Sequence, residues 1–249
     1  MQARMLGLLV GASFLIGGSA SAADVKVMAS AAIKEAYLEL VPQFEKATEH
    51  RVTTTWAGTV DMTKRLTAGE VFDLIIMASP SIDEFIKQGK LVPGSRVDLA
   101  KSGVGVAVRA GLPKPDISSG DKVKRAMLAA KSIAYSTGPS GVYMAALFQR
   151  MGIADQIKDK VKVGAPGMPI GEIIARGEAE IGFQQVSELL PIAGIDFIGP
   201  LPPDIQQITV FASGIHTGAT QADAAKALVK FLTSPQAVPV LKKKGLEPG

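Results

Sequence analysis

The chain has 249 residues, of which 47% are hydrophobic and 5% aromatic, and it carries a formal net charge of +4. It contains no cysteine, which excludes disulfides, thiol catalysis and cysteine metal sites. The two histidines, His50 and His216, are far apart in the sequence, so we expect no metal and no cofactor. The basic residues are mostly scattered and aromatic residues are few, so we expect no binding to nucleic acid.

The first 22 residues have the pattern of a secretory signal peptide. A basic start precedes an apolar run over 5–16, and Ala20-Ser21-Ala22 supplies the small side chains that a signal peptidase requires. We predict cleavage after Ala22, with Ala23 as the near alternative. The apolar run is shorter than the roughly 20 residues that span a bilayer, which argues against an uncleaved anchor. The sequence therefore predicts an exported, soluble periplasmic protein.

Three repeats of strand, polar loop and helix follow. The predicted strands cover 25–28, 51–56 and 72–77, and the predicted helices begin near residues 33, 62 and 83. Repeats of this kind are typical of a parallel sheet with helices on its faces. The loops after the three strands begin with Ser30, Gly58-Thr59 and Ser79, and in such a sheet these loops converge on one crevice.

A strand over 104–109 and a stretch rich in proline, glycine and serine over 111–121 mark a boundary, after which a second series begins. Its predicted strands cover 132–135, 161–163 and 179–184, and its helices cover 121–130, 142–151 and 170–177. A strand over 207–213 and helices over 221–232 and 235–243 are expected to return to the first lobe. We therefore predict an α/β fold of two lobes, each a mixed, mostly parallel sheet flanked by helices, joined by two crossing strands. Lobe I comprises 23–104 and 208–249, and lobe II comprises 105–207.

Several loops place small polar residues at predicted helix N-termini. Ser30-Ala31 and Ser140-Gly141 each open a helix, where free backbone N–H groups and the helix dipole favour an anion. Helix capping is the more common role of a single serine, but two facing loops of this kind favour a ligand. Gly58-Thr59 and the loop around Met168 provide further helix N-termini on the same rim.

Four segments have the residues of a known family. They are ASAA at 29–32, AGE and FDL at 68–74 with Ala78-Ser79, PSGVY at 139–143, and GEAEIG at 177–182 followed by Ser187-Glu188. In these segments the chain resembles periplasmic solute-binding proteins of the molybdate-binding type, in the type II periplasmic binding protein fold class. The resemblance extends over essentially the whole predicted mature chain.

The resemblance implies a ligand held between two lobes by hydroxyl groups and backbone amides. The ligand-binding residues predicted in this way are Ser30, Ala31, Gly58, Thr59, Ser79, Ser140, Gly141, Met168 and Gln185. The family commonly has a tyrosine donor where this chain has Gln185, beside Gln184. Glutamine both donates and accepts, so it suits a carboxylate or hydroxy acid at least as well as a tetrahedral oxyanion. Arg65 is the nearest predicted cation; we expect it to face solvent, and an inward orientation would favour a carboxylate ligand.

Two functions of different classes fit these residues. The first is a monomeric binding protein that captures a small anion by closure of the lobes and delivers it to the permease of a membrane ABC transporter. The second, which the same resemblance implies, is a periplasmic isomerase of a small tricarboxylate such as aconitate. It needs a base, for which Glu172, Glu188, Tyr143 and a serine are candidates. A structural or adhesion role is disfavoured because it leaves the glycine-rich loops without a purpose.

Overall fold

The computed structural model describes residues 22–249, and all of the predicted signal peptide except Ala22 lies outside these residues. The strands are β1 Asp24–Ala29, β2 Arg51–Trp56, β3 Leu74–Ala78, β4 Val97–Arg109, β5 Ile133–Tyr135, β6 Val161–Val163, β7 Ile181–Gln185, β8 Ile195–Pro200, β9 Ile208–Ile215 and β10 Glu247–Pro248. The α-helices are α1 Lys34–Thr48, α2 Thr59–Thr67, α3 Ser79–Lys87, α4 Gly120–Ala129, α5 Pro139–Arg150, α6 Ala154–Ile157, α7 Ile170–Ala175, α8 Val186–Leu189, α9 Ala222–Leu232 and α10 Val238–Lys243. Short 3-10 turns occupy Ala31–Ile33, Lys158–Lys160, Pro203–Ile205 and Pro235–Ala237.

The strands form one mixed sheet in two halves. In the first half the order is β2-β1-β3-β9-β4, with β1 parallel to β2 and β3 and with β9 antiparallel to β3. In the second half the order is β4-β7-β5-β6, with β5 parallel to β6 and β7, and β8 also pairs with β4. The parallel pairs confirm the prediction from the repeated strand and helix pattern. β9 confirms the predicted return of the chain to the first half.

β4 belongs to both halves. Residues 97–103 pair with β9, whereas residues 104–109 pair with β7 and β8. The chain crosses back through residues 201–207, where the side chain of Gln206 takes the place of strand pairing. Its Oε1 accepts from the Val104 N–H at 2.8 Å, and its Nε2 donates to the Val104 carbonyl at 3.1 Å. Both crossings therefore meet at Val104, near the predicted boundary, while the independent movement of two lobes stays a prediction.

Each half of the sheet has a hydrophobic core on each face, because successive side chains of a strand point to opposite faces. In β1, Val27 packs with α1 and α9, and the next residue, Met28, packs with α2 and α3. In β4, Val106 packs with α4 and α5, and Ala107 packs with α7. The strands are thus covered by helices on both faces, and the loops at the strand ends are left to form a site.

Asp73 is a buried carboxylate immediately before β3, with 2% of its surface exposed. Its Oδ2 accepts from the Lys26 N–H, and its Oδ1 accepts from the N–H groups of Thr220 and Gln221, each at 2.8 Å. These bonds join the edges of β1 and β3 to the start of α9. The FDL segment of the family resemblance therefore has a structural role in this chain.

Candidate functional site

A cavity of about 300 Å³ lies between the two halves of the sheet. The loops after β1 and β2 form one wall, and the loops after β5, β6 and β7 form the other. The walls include these predicted ligand-binding residues: Ser30, Ala31, Gly58, Thr59, Ser140, Met168 and Gln185. At roughly 30 Å³ per water molecule, the volume holds about ten waters, which is ample for a small organic acid.

Ser30 is held in the first wall by the sheet and by the turn that follows it. Its N–H donates to the carbonyl of Ile76 at 2.9 Å, which continues the pairing of β1 with β3. Its Oγ accepts from the Ala32 N–H at 3.4 Å and so caps the 3-10 turn before α1. The predicted capping role of Ser30 is confirmed, and the hydroxyl proton stays available to the cavity.

Two longer helices begin at the cavity wall without a capping side chain. α2 follows Gly58 and α5 follows Gly138, and in both cases the N-cap residue has extended backbone angles. The first N–H groups of such helices have no partner within the helix and carry a partial positive charge. Thr59 and Ser140 add a hydroxyl at each N-terminus. The two walls therefore present neutral hydrogen-bond donors to the cavity, and their contact with an anion stays a prediction.

The loop before α5 is folded tightly around Ser136. Ser136 Oγ accepts from the Gly138 N–H at 3.3 Å and lies 3.3 Å from Ser140 Oγ. Gly141 packs against the carbonyl of Ser136, where an added Cβ would lie 1.5 Å from that oxygen. The lack of a side chain at Gly141 permits this loop, and its predicted contact with the ligand stays a prediction.

Ser79 is not part of the described cavity wall. It is the first residue of α3, which directs Ile82 and Phe85 into the core beneath β3. The crevice is formed by the loops after β1 and β2 from this half, while β9 pairs beside β3 and sends Phe211 to the cavity instead. Ser79 thus lies outside the cavity lining, and its contact with a ligand stays a prediction.

The two walls approach each other closely at Gly58. An added Cβ at this residue would lie 3.1 Å from the backbone nitrogen of Gly167. Gly167 has φ +78°, a left-handed conformation that glycine adopts without strain, and it brings the Met168 loop across the cavity. The structure thus shows the cavity with its two rims in contact.

Gln185 borders the cavity, but its amide group has partners in the protein. The residue is 1% exposed, and its Oε1 accepts from Thr209 Oγ1 at 3.0 Å. Its Nε2 donates to the carbonyls of Ser102 and Gly103 at 3.1 and 3.2 Å in the amide orientation that satisfies both ends. The amide predicted to meet the ligand is therefore engaged with β4 and β9 at the crossing between the halves.

Glu188 presents a titratable carboxyl group to the cavity. Gln184 Oε1 accepts from the Ile170 N–H at 2.7 Å, and Gln184 Nε2 donates to Glu188 Oε1 at 2.9 Å. The half-buried carboxyl has no ion pair with any residue in 22–249. Burial raises the pKa of Glu188 to about 7, and the hydrogen bond from Gln184 only partly opposes this effect. A proton can therefore leave or join Glu188 near neutral pH.

The other candidate bases and the candidate cation have different surroundings. Tyr143 donates its hydroxyl proton to the carbonyl of Ile205 at 2.6 Å, away from the described cavity wall. Glu172 lines the cavity but is exposed and lies 3.5 Å from Arg176. Arg65 donates to Glu70 Oε2 at 2.6 Å on the surface, so the expectation that it faces solvent is confirmed.

The cavity is also lined by Lys34, Trp56 and Ser136, which the sequence pattern does not predict as site residues. Lys34 is the first residue of α1 and Trp56 is the last residue of β2, and neither residue type is by itself typical of a binding site at such a position. Ser136 lies in the loop 136–141 at the start of α5. Its position two residues before Gly138 is the feature of the sequence that could predict it as a site residue. Within residues 22–249 we find no group of three metal-ligating side chains. No helix in the same range is long and apolar enough to span a bilayer.

Comparisons with known proteins agree with this architecture. A family model described as bacterial extracellular solute-binding protein matches residues 25–247. An aconitate isomerase from Pseudomonas sp. is 35% identical over 98% of this chain and 95% of its own length. The molybdate-binding protein ModA of Azotobacter vinelandii is 30% identical over 93% of this chain and 92% of its own.

Among solved structures, the periplasmic molybdate-binding protein of Azotobacter vinelandii superimposes with a TM-score of 0.77 at 20% identity. It covers 90% of this chain and 99% of its own. The agreement of fold over nearly the full length of both chains accompanies the family match over residues 25–247. The chain therefore belongs to the bacterial extracellular solute-binding protein family, among its molybdate-type periplasmic members.

Proposed function

We propose that this protein binds a small unsaturated tricarboxylate of the aconitate type in the cavity and interconverts its cis and trans isomers. Glu188 is the base that moves the proton. The observation that carries this proposal is a carboxyl group with a pKa of about 7 in the wall of a cavity lined by neutral donors. A general base works best when its pKa is near the working pH.

The hydroxyl and backbone N–H groups of the cavity walls bind the ligand. The N-termini of α2 and α5, with Ser30, Thr59 and Ser140, can donate to carboxylate oxygens from both walls. The carboxyl groups of Glu35, Glu172 and Glu188 share the walls with these donors, and a pKa of about 7 leaves part of the Glu188 population uncharged at neutral pH, which lowers the repulsion of an anion.

The reaction is the shift of one proton along an allylic system. The Glu188 carboxylate removes a proton from the methylene carbon beside the double bond, and the electron pair left behind delocalises over the alkene carbons and the adjoining carboxylate. Glu188 then returns the proton to the far alkene carbon, so the double bond moves by one carbon and re-forms in either geometry. For aconitate the product is the same compound in its cis or trans form, and no atom or electron is gained or lost.

The same donors that bind the substrate stabilise the intermediate. Negative charge develops on carboxylate oxygens when the proton leaves, and fixed N–H and O–H donors aimed at such oxygens lower the barrier. The Gln184 bond keeps Glu188 in place while its second oxygen is used. The identity of 35% with an aconitate isomerase supports this activity from an independent direction.

The test uses the purified protein without its first 22 residues and cis-aconitate, followed by proton NMR. We expect trans-aconitate to appear, and in D₂O we expect deuterium to enter the substrate. Glu188→Gln should lower the rate by about a hundredfold or more, because an amide cannot take up the proton. Glu172→Gln is the matched control, and it should keep the rate. An unchanged rate in Glu188→Gln would contradict the assigned base.

Delivery of a bound anion to the permease of a membrane ABC transporter is the second candidate function. The family match over residues 25–247 supports it, and so does the export signal predicted from the sequence. Calorimetry with tricarballylate, which has no double bond, measures capture separately from turnover. Tight binding of tricarballylate and cis-aconitate with neither isomerisation nor deuterium exchange would favour transport over catalysis.

A further inference from the structure

One cationic side chain lines the cavity among the residues that the structure describes, and it is Lys34. Lys34 is the first residue of α1, is exposed, and forms no ion pair with residues 22–249. The charged side chains that share the wall are Glu35, Glu172 and Glu188. An unpaired ammonium group in an otherwise acidic wall is available to a carboxylate of the ligand.

The position of Lys34 is set by aromatic packing. Its Nζ lies 5.9 Å from the centre of the Trp56 ring, within the range of a cation–π interaction. Trp56 packs edge-on against Tyr37 with ring centres 5.2 Å apart, and the Tyr37 hydroxyl lies 2.8 Å from Thr54 Oγ1. Tyr37 is 3% exposed, so this series of contacts anchors the ammonium group to the core of the first half.

We infer that Lys34, held over Trp56, forms a subsite at the open side of the cavity for a second carboxylate of the ligand. One carboxylate binds to the helix N-termini deeper between the walls, and another pairs with Lys34. This inference rests on the proposed binding of an organic polycarboxylate and names the residue that selects for it. Monocarboxylates and tetrahedral oxyanions lack a group that reaches both positions.

The charges around Lys34 shape the test. Glu35 is adjacent in α1 and is half-buried, whereas Glu172 projects from α7 of the opposite wall and is paired with Arg176. If Lys34 acted only through the net charge of the cavity, Lys34→Gln would weaken the binding of every anion. Glu35→Gln would then strengthen the binding of every anion. A carboxylate subsite acts only on ligands that carry the second carboxylate. Lys34→Gln and Glu35→Gln therefore form a matched pair.

Calorimetry measures the affinity of wild type, Lys34→Gln and Glu35→Gln for tricarballylate, glutarate and butyrate. Trp56 is the single tryptophan of the chain, so its fluorescence in wild type reports the same binding locally. We expect Lys34→Gln to weaken tricarballylate and glutarate by about tenfold, allowing for solvent screening, and to leave butyrate unchanged. Glu35→Gln should not weaken any of the three. Thermal unfolding confirms that both variants are folded.

Equal affinities of Lys34→Gln and wild type for tricarballylate would overturn the subsite, and so would an equal loss for all three ligands. If wild type binds none of the three carboxylates, the proposed function fails and the subsite fails with it. If wild type binds tricarballylate and Lys34→Gln binds it equally well, only the subsite fails.

Discussion

At the scale of the residue, Glu188 is held by Gln184, the neighbour of the Gln185 that the family resemblance predicts to contact the ligand. Gln184 links the Ile170 N–H to the Glu188 carboxyl, with distances of 2.7 and 2.9 Å. Its neighbour Gln185, predicted to replace a ligand-binding tyrosine, is 1% exposed and bonded to β4 and β9. The local sequence predicts a strand that ends near Gln184 and Gln185, but it does not show that the Gln185 amide bonds to β4 and β9, which are distant in the chain.

The raised pKa of Glu188 predicts how stability depends on pH. The pKa is about 7 in the folded protein, against 4.5 for an unperturbed glutamate. Between these values the folded chain binds more protons at Glu188 than the unfolded chain, so the free energy of unfolding falls as the pH rises through this window. Glu188→Gln removes this penalty and keeps an acceptor for Gln184. It should be more stable than wild type by about 1–3 kcal/mol at pH 8 and similar near pH 4.

Urea unfolding at pH 4, 6 and 8 measures this difference. Glu172→Gln serves as the control, because Glu172 is exposed and its replacement should give a difference that varies little over the same range. A Glu188→Gln variant that is less stable than wild type at pH 8 would show that the carboxylate is stabilised in the fold and has no raised pKa.

At the scale of the element, the helix N-termini were the most predictable part of the site. Small residues after strands, such as Ser30 and Gly58, are local signals for the start of a helix, and those helices are present. The sequence pattern predicts β4 only over 104–109. Residues 97–103 include Asp98, Lys101 and Ser102, which break the apolar pattern. Pairing with β9 stabilises this segment, and that pairing is not visible in a local window.

A prediction at the scale of the element concerns the effect of Gly141→Ala on the loop before α5. An added Cβ would lie 1.5 Å from the Ser136 carbonyl oxygen and 2.4 Å from its carbon, so Gly141→Ala must displace the loop that carries Ser136 and Ser140. We expect a loss of about 3 kcal/mol or more in the free energy of unfolding, together with loss of ligand affinity. Thermal unfolding and calorimetry with tricarballylate measure the two effects.

Gly138→Ala is the control for Gly141→Ala. Its added methyl group meets no atom nearer than Ser136 Oγ at 3.6 Å, which is an ordinary contact, and its backbone angles suit any residue. It should unfold within about 1 kcal/mol of wild type. Equal stability of the two variants would mean that the loop relaxes freely and that Gly141 has no special role.

At the scale of the whole molecule, the two rims of the cavity meet at Gly58 and Gly167. The two halves are joined by β4 and by residues 201–207, and their cores are separate clusters on either side of this crossing. Gln185 and Gln206 satisfy the backbone of residues 102–104 with side-chain amides where strand pairing changes from one half to the other. Rotation of one half relative to the other at this crossing, which is the predicted closure of two lobes, stays a prediction.

The last prediction is that ligand closes the two lobes and that Gly58 permits it. A methyl group at this residue would lie 3.1 Å from the Gly167 nitrogen, so the larger side chain of Gly58→Val should hold the rims apart. Small-angle scattering should show a smaller radius of gyration for wild type with tricarballylate, and no such change for Gly58→Val. Because the closed form becomes rare, the variant should bind about tenfold more weakly or worse. A wild type whose radius does not change at saturating ligand, or a Gly58→Val variant that compacts as wild type does, would rule out closure at this contact.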